Sequence, residues 1–136
     1  MLRAIIALLA FAMTFPAAAQ SRDQALIAAA GKGDFAAVER LIGEGASVAA
    51  RDGRGRTALL AATHDNHVAA ARALIAAGAD VNAKDNIEDS PFLYAGAEGR
   101  TEIVKMTLAA NADLTSTNRY GGTALIPPRI TAIPRR

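Results

Sequence analysis

The sequence predicts an all-α solenoid of stacked helix–turn–helix units with projecting β-turns, about three helix pairs followed by a truncated last repeat. Three observations predict it. The chain is self-similar at a period of 33 residues, which is the mark of stacked repeats. A hydroxyl residue recurs where each helix should begin. The 136 residues are 51% hydrophobic, but that share is carried by Ala, Leu, Ile and Val, with only four Phe, two Tyr and no Trp. Such a core suits closely packed short helices better than a β-sandwich.

The period is read directly from the residues. Asp52-Gly53-Arg54-Gly55-Arg56-Thr57-Ala58-Leu59-Leu60-Ala61-Ala62 aligns with Asp85-Asn86-Ile87-Glu88-Asp89-Ser90-Pro91-Phe92-Leu93-Tyr94-Ala95. It returns at Asn118-Arg119-Tyr120-Gly121-Gly122-Thr123-Ala124-Leu125-Ile126. Segment ends match too: Gly45-Ala46-Ser47-Val48, Gly78-Ala79-Asp80-Val81 and Asn111-Ala112-Asp113-Leu114.

Each element has a physical reason. Thr57, Ser90 and Thr123 can cap the free N–H groups of a helix start. Pro91 sits at a first helical position, where a missing N–H costs nothing. Leu59, Ala62, Leu93 and Ala95 then give the inner helix its buried face. The second helix carries Val68, Ala71, Leu74 and Ile75, or Ile103, Val104 and Leu108. Gly33, Asn66 and Gly99 share the inter-helix turn, and Gly45, Gly78 and Asn111 share the turn after the second helix. Asparagine follows glycine in tolerance of the left-handed conformation, so the exchange keeps the same chemistry. Ser21-Arg22-Asp23-Gln24 has the spacing of a capping box and predicts the start of the first helix. The predicted pairs are 22–43, 58–77 and 91–110.

At these residues the chain resembles the ankyrin repeat, over residues 21 to about 126. Gly-Arg-Thr-Ala-Leu-Leu-Ala-Ala at 55–62 is similar to the signature run, and Ala-Leu-Ile-Ala-Ala-Gly-Ala-Asp-Val-Asn-Ala at 73–83 is close to the consensus. The resemblance implies two antiparallel helices and a β-turn per repeat, and a protein-binding role without catalysis. The signature histidine is absent, replaced by Leu60, Leu93 and Ile126, so its hydrogen bonds to neighbouring turns are expected to be missing.

The ends read differently from the body. Met1-Leu2-Arg3, an apolar run from Ala4 to Phe15, Pro16 and Ala17-Ala18-Ala19 follow the order of a secretory leader. The apolar run would span about 18 Å as a helix, too short for a ~30 Å bilayer core. Residues 1–19 are therefore read as a signal peptide cut after Ala19, residues 20–126 as the repeat domain, and 127–136 as a disordered non-repeat tail. A periplasmic or secreted protein, with no stable membrane insertion after cleavage, is expected. Pro127-Pro128 interrupts the last inner helix, which points to truncation or frameshift of a longer array. With that array end unpaired, Leu93, Ile103 and Leu108 are expected under thin cover.

Charge and chemistry exclude much. The formal charge is +2, but Arg3 lies in the leader and Arg129, Arg135 and Arg136 in the tail, leaving 11 basic against 13 acidic residues between them. No nucleic-acid partner is inferred. Without cysteine there is no disulfide or thiolate metal site. No phosphate loop or serine-nucleophile motif occurs, so no catalytic residue and no cofactor are expected. His64 and His67, beside Asp65, could suggest a metal-dependent enzyme, but further ligands are lacking in the sequence and no metal is expected. Asp52, Asp80, Asp85 and Asp113 recur with the period and read as turn residues.

The resemblance implies that another protein is the partner, bound by turn tips and inner helices, and a monomeric scaffold of the cell envelope is expected. By position the contacts are Gly53, Arg54, Arg56, His64 and Asp65 in one repeat. Asn86, Ile87, Asp89, Tyr94, Ala97 and Glu98 supply them in the next, and Arg119 and Tyr120 in the last turn. A secreted effector that engages a host protein is the alternative use of the same surface.

Overall fold

The computed structural model describes residues 17–125. It contains six helices in three antiparallel pairs: α1 (Ala17–Lys32) with α2 (Phe35–Gly43), α3 (Ala58–His64) with α4 (Val68–Ala76), and α5 (Pro91–Ala97) with α6 (Thr101–Ala109). Helices α1, α3 and α5 pack in one layer, and α2, α4 and α6 in a second. Each pair packs mainly on its neighbours in sequence, the arrangement of a solenoid.

The predicted caps form. Thr57 Oγ1 accepts the Leu60 N–H at 3.3 Å, and Ser90 Oγ accepts that of Leu93 at 3.1 Å. Pro91 opens α5. The two shared turn slots hold positive φ throughout: 70°, 58° and 68° at Gly33, Asn66 and Gly99, and 88°, 90° and 62° at Gly45, Gly78 and Asn111. The exchange of Gly for Asn thus follows one backbone requirement. The core runs through both layers, with Leu26, Val38, Leu59, Leu74 and Ile103 fully buried.

Two expectations are corrected. Ser21 does not begin a helix; α1 already runs from Ala17, because the alanines before it favour helix and nothing stops it. The residues of the expected capping box instead tie α1 to the first turn, where Asp23 Oδ1 accepts the Ser47 N–H at 2.7 Å and Gln24 Nε2 donates to the Arg51 carbonyl at 3.1 Å. Ala17–Ala19, the expected cleavage site, are helical, in the described part of α1. The rest of the expected leader, and Ile126 with the tail that follows, lie outside the described residues.

The second correction concerns the end of the array. Leu93 and Ile103 are buried, and only Leu108 is exposed, at 40%. The last described turn supplies the missing cover: Ala124 packs with Phe92 and Leu93 in a small cluster of its own. A Cβ at Gly96 would collide with the Ala124 carbonyl oxygen and stand 2.5 Å from its Cα. The inner helix is therefore closed by a backbone seated on a glycine, while the outer helix α6 keeps an exposed leucine.

Polar links between repeats take over from the absent signature histidine. His67 Nε2 lies 3.1 Å from the Gly31 carbonyl, and one period later Arg100 Nη2 donates to the His64 carbonyl at 3.2 Å. Arg51 donates to the Lys84 carbonyl, and Lys84 Nζ to that of Thr117 at 2.7 Å, again one period apart. Asn82 Oδ1 accepts the Asp113 N–H at 2.8 Å. Leu60 and Leu93 fill the old histidine slot as buried apolar residues.

Candidate functional site: the concave face

The turn tips are built on a repeated carboxylate or amide oxygen. Asp52 Oδ1 accepts the N–H groups of Arg54 and Arg56, both at 2.9 Å. Asp85 Oδ1 accepts those of Ile87 and Asp89, both at 3.0 Å, and Asn118 Oδ1 those of Tyr120 and Gly122, both at 3.0 Å. This Asx geometry fixes each tip and leaves the second and fourth residues beyond the Asx free to vary in chemistry. The periodic acids Asp52 and Asp85 are thus structural, as the period implied.

Between α3 and α5 the tips and inner helices enclose a depression of about 110 Å³. Of the sequence-predicted contacts, Arg54, Arg56, His64, Ile87, Asp89 and Tyr94 line it together. Leu60 and Asp85 line it as well. Sequence reasoning assigned these two to core and turn; their signal was only that they flank the variable positions. Small-molecule sites typically enclose about 300–1,000 Å³, so this volume fits one side chain and not a metabolite. On the other side of Arg56 a broader depression of about 390 Å³ extends over α1, lined by Gln24, Ile27, Lys32 and Asp65 among others. The two make a shallow groove across three repeats.

The side chains differ in how far they are committed. Arg56 Nε and Nη2 both reach Asp52 Oδ2 at 2.9 Å, so this arginine braces its own turn. Burial works to raise the Asp52 carboxyl, but hydrogen bonds from the Arg56 and Arg54 amides and from the Arg56 guanidinium outweigh it and hold it below the usual value. Asn86 is also structural: its N–H donates to the Arg54 carbonyl at 3.1 Å, locking adjacent turns. Arg54 and Ile87 are exposed on neighbouring tips, Ile87 at 44%.

His64 and Tyr94 stack, with ring centroids 4.8 Å apart and planes 17° from parallel. Burial, and then the charge of Glu98, push the Tyr94 hydroxyl up. Asp89 is half-buried; burial and the Asp85 charge push its carboxyl up, against a smaller pull from Arg119. No cation lies within ion-pair distance of Asp89 among the described residues. Asp65 and Glu98 follow the ends of α3 and α5 as exposed caps, and Ala97 is exposed on α5. Arg119 and Tyr120 stand apart on the last turn, with the guanidinium 4.7 Å from the ring centroid and Tyr120 67% exposed.

The histidines do not converge. His64 faces Tyr94 in the following repeat, whereas His67 points back to Gly31 in the preceding one, its ring over Gly33. No group of three or more His, Cys, Asp or Glu residues that could hold a metal occurs among the described residues. No described helix is long and apolar enough to cross a membrane.

Stacked helix pairs, projecting tips and a shallow groove with mixed apolar and charged walls define a repeat scaffold with a binding face. The model of ankyrin repeats (3 copies) matches residues 5–85, and the chain belongs to the ankyrin-repeat family. That match begins inside the segment read as a leader and stops before the third helix pair. Among solved structures, the chain is similar to an ankyrin repeat domain from Acinetobacter baumannii AYE, at 56% identity and a TM-score of 0.72 over 75% of this chain. The chain spans about half of that structure, 52% of its length. No curated protein matches.

Proposed function

We propose that this chain is a non-catalytic scaffold of the bacterial cell envelope that holds a partner protein on its concave face. The observation that carries the reading is Ile87 beside the His64–Tyr94 stack, rimmed by Arg54, with Tyr120 and Arg119 exposed on the next turn. It sets apolar and aromatic surface in the open on rigid supports. Aromatic residues and arginine are the usual anchors of protein interfaces. The envelope assignment rests on the order of charged start, apolar run and Ala17-Ala18-Ala19.

A photo-crosslinking residue placed at position 87 or 120 in living cells tests it. One envelope protein should be captured from both positions and not from Glu39 on the outer layer, and Ile87→Asp should weaken the purified pair. Equal capture from the outer layer, or no loss with Ile87→Asp, overturns the concave-face reading. Capture of a host protein from culture medium would instead favour a secreted effector.

A further inference from the structure

We propose that the depression between α3 and α5 is an anchor pocket for one arginine side chain of the partner, with Asp89 as its counter-ion. The inference rests on the binding reading above and names the chemistry of its central contact. Three features of the pocket converge on a planar cation.

The first is volume. About 110 Å³ corresponds to roughly four waters at ~30 Å³ each, enough for a guanidinium and its adjoining methylenes. The second is the wall. Leu60 and Ile87 offer apolar surface to a methylene stem, and the stacked rings of His64 and Tyr94 supply an aromatic wall for the head. Guanidinium groups pack on such surfaces and are more weakly hydrated than ammonium groups. The third is charge. Asp89 occupies the slot that holds Arg56 one period earlier, so Asp85 has no arginine equivalent to brace it. Asp85 Oδ1 is already occupied by two amides, whereas Asp89 is half-buried with no cation within ion-pair distance among the described residues. Burial and the Asp85 charge make its ionised form costly, and an incoming guanidinium would remove that cost.

The two arginines of the lining do not reverse the sign. Arg56 is held by Asp52 at 2.9 Å, and Arg54 is exposed at the rim. An anionic ligand would meet Asp85 and Asp89 together at the pocket wall.

The test titrates N-acetyl-arginine methylamide into the isotopically labelled protein and follows the Ile87, Asp89 and Tyr94 amides by NMR. The neutral citrulline analogue and the N-acetyl-glutamate methylamide serve as matched probes. Saturable shifts are expected with the arginine probe alone, with an affinity on the order of millimolar for one isolated contact. Asp89→Asn should weaken it on the order of tenfold, the worth of a hydrogen bond to a charged group, while Glu88→Gln should not. Asp89 carries no cap or turn contact through its carboxylate, and an unchanged amide spectrum elsewhere verifies that the variant is folded. Equal binding of citrulline, retention in Asp89→Asn, or preferential binding of the glutamate probe overturns the proposal. The outcomes separate from those of the crosslinking. A captured partner with no arginine-dependent shifts refutes the pocket and leaves the scaffold standing; arginine-dependent shifts with no captured partner do the reverse.

Discussion

Gly96→Ala gives opposite signs for two views of the array end. Gly96 lies within α5, near its C-terminal end. In a helix, alanine is favoured over glycine by roughly 0.5–1 kcal/mol, so an unobstructed site should gain that much. Here the added Cβ would collide with the Ala124 carbonyl oxygen, which is backbone and has no rotamer to escape into. Relieving the clash means lifting the last turn off Phe92 and Leu93. Overpacking of this kind costs about 1–3 kcal/mol, which exceeds the propensity gain. The expected net effect is a loss of about 1–2 kcal/mol in urea denaturation, with faster hydrogen exchange at residues 91–97. A chain ended at Tyr120 has no turn to displace, and there the same substitution should stabilise. Stabilisation in the full chain, or the same sign in both chains, refutes the seated turn.

Other perturbations test other links. Asp52→Ala removes two amide hydrogen bonds and the brace on Arg56, and should cost about 3 kcal/mol by chemical denaturation at roughly 1 kcal/mol per bond. Asp52→Asn keeps the amide acceptor, as Asn118 does in the last turn, and should cost under about 1 kcal/mol. Because the folded Asp52 carboxyl lies below its unfolded value, its contribution is present above the unfolded value and fades as pH falls through the folded one. Asp52→Asn should therefore flatten part of the acid limb of a stability–pH curve, and an unchanged limb contradicts the brace. Leu60, 2% exposed, should cost about 2–5 kcal/mol when cut to alanine, whereas a loss below about 0.5 kcal/mol would mean the repeat register is misplaced. Mass spectrometry of the exported protein should show Gln20 as its first residue; intact Met1 in the envelope fraction sinks the leader.

The fold was legible because its requirements are local and recur. Thr57 and Ser90 announce helix starts by hydrogen-bonding chemistry, and Gly33, Asn66 and Gly99 announce a positive φ by tolerance of it. Ser21 misled because a capping spacing is only permissive: with alanines upstream, the helix continues and the hydroxyl has nothing to cap. The cover over Leu93 was not legible, since it comes from the backbone of Ala124 meeting the missing side chain of Gly96, a contact that the period does not announce. Six of the proposed contact residues meet in one depression, because register alone places them. The commitment of Arg56 to Asp52 and of Asn86 to the neighbouring turn depends on side-chain geometry, which register does not determine.

The same slots separate holding from binding by whether their chemistry repeats. Asp52, Asp85 and Asn118 keep an oxygen acceptor at each tip, and every tip folds around it. The slot four residues on holds Arg56, then Asp89, then Gly122, so only the first can brace its Asx residue with a cation. The inner-face slot holds Ala28, Ala61 and Tyr94, and only the third can fill space on the concave side. His64 corresponds to Gly31 and Ala97, neither of which has a ring to stack. A stacked fold needs its interfaces to repeat, so a residue that departs from its slot without loss of packing is free of that need. The departures Asp89, Tyr94 and His64 are adjacent in space although 25 and 30 residues separate His64 from the other two in sequence. Three breaks of the period thus meet at one depression, and restoring the slot at one of them tests whether it serves a ligand. Asp89→Arg, which rebuilds the Asp–Arg brace on Asp85, should hold or raise stability while abolishing the arginine-dependent shifts; a stable protein that still binds the arginine probe would show that the break at Asp89 serves no binding role.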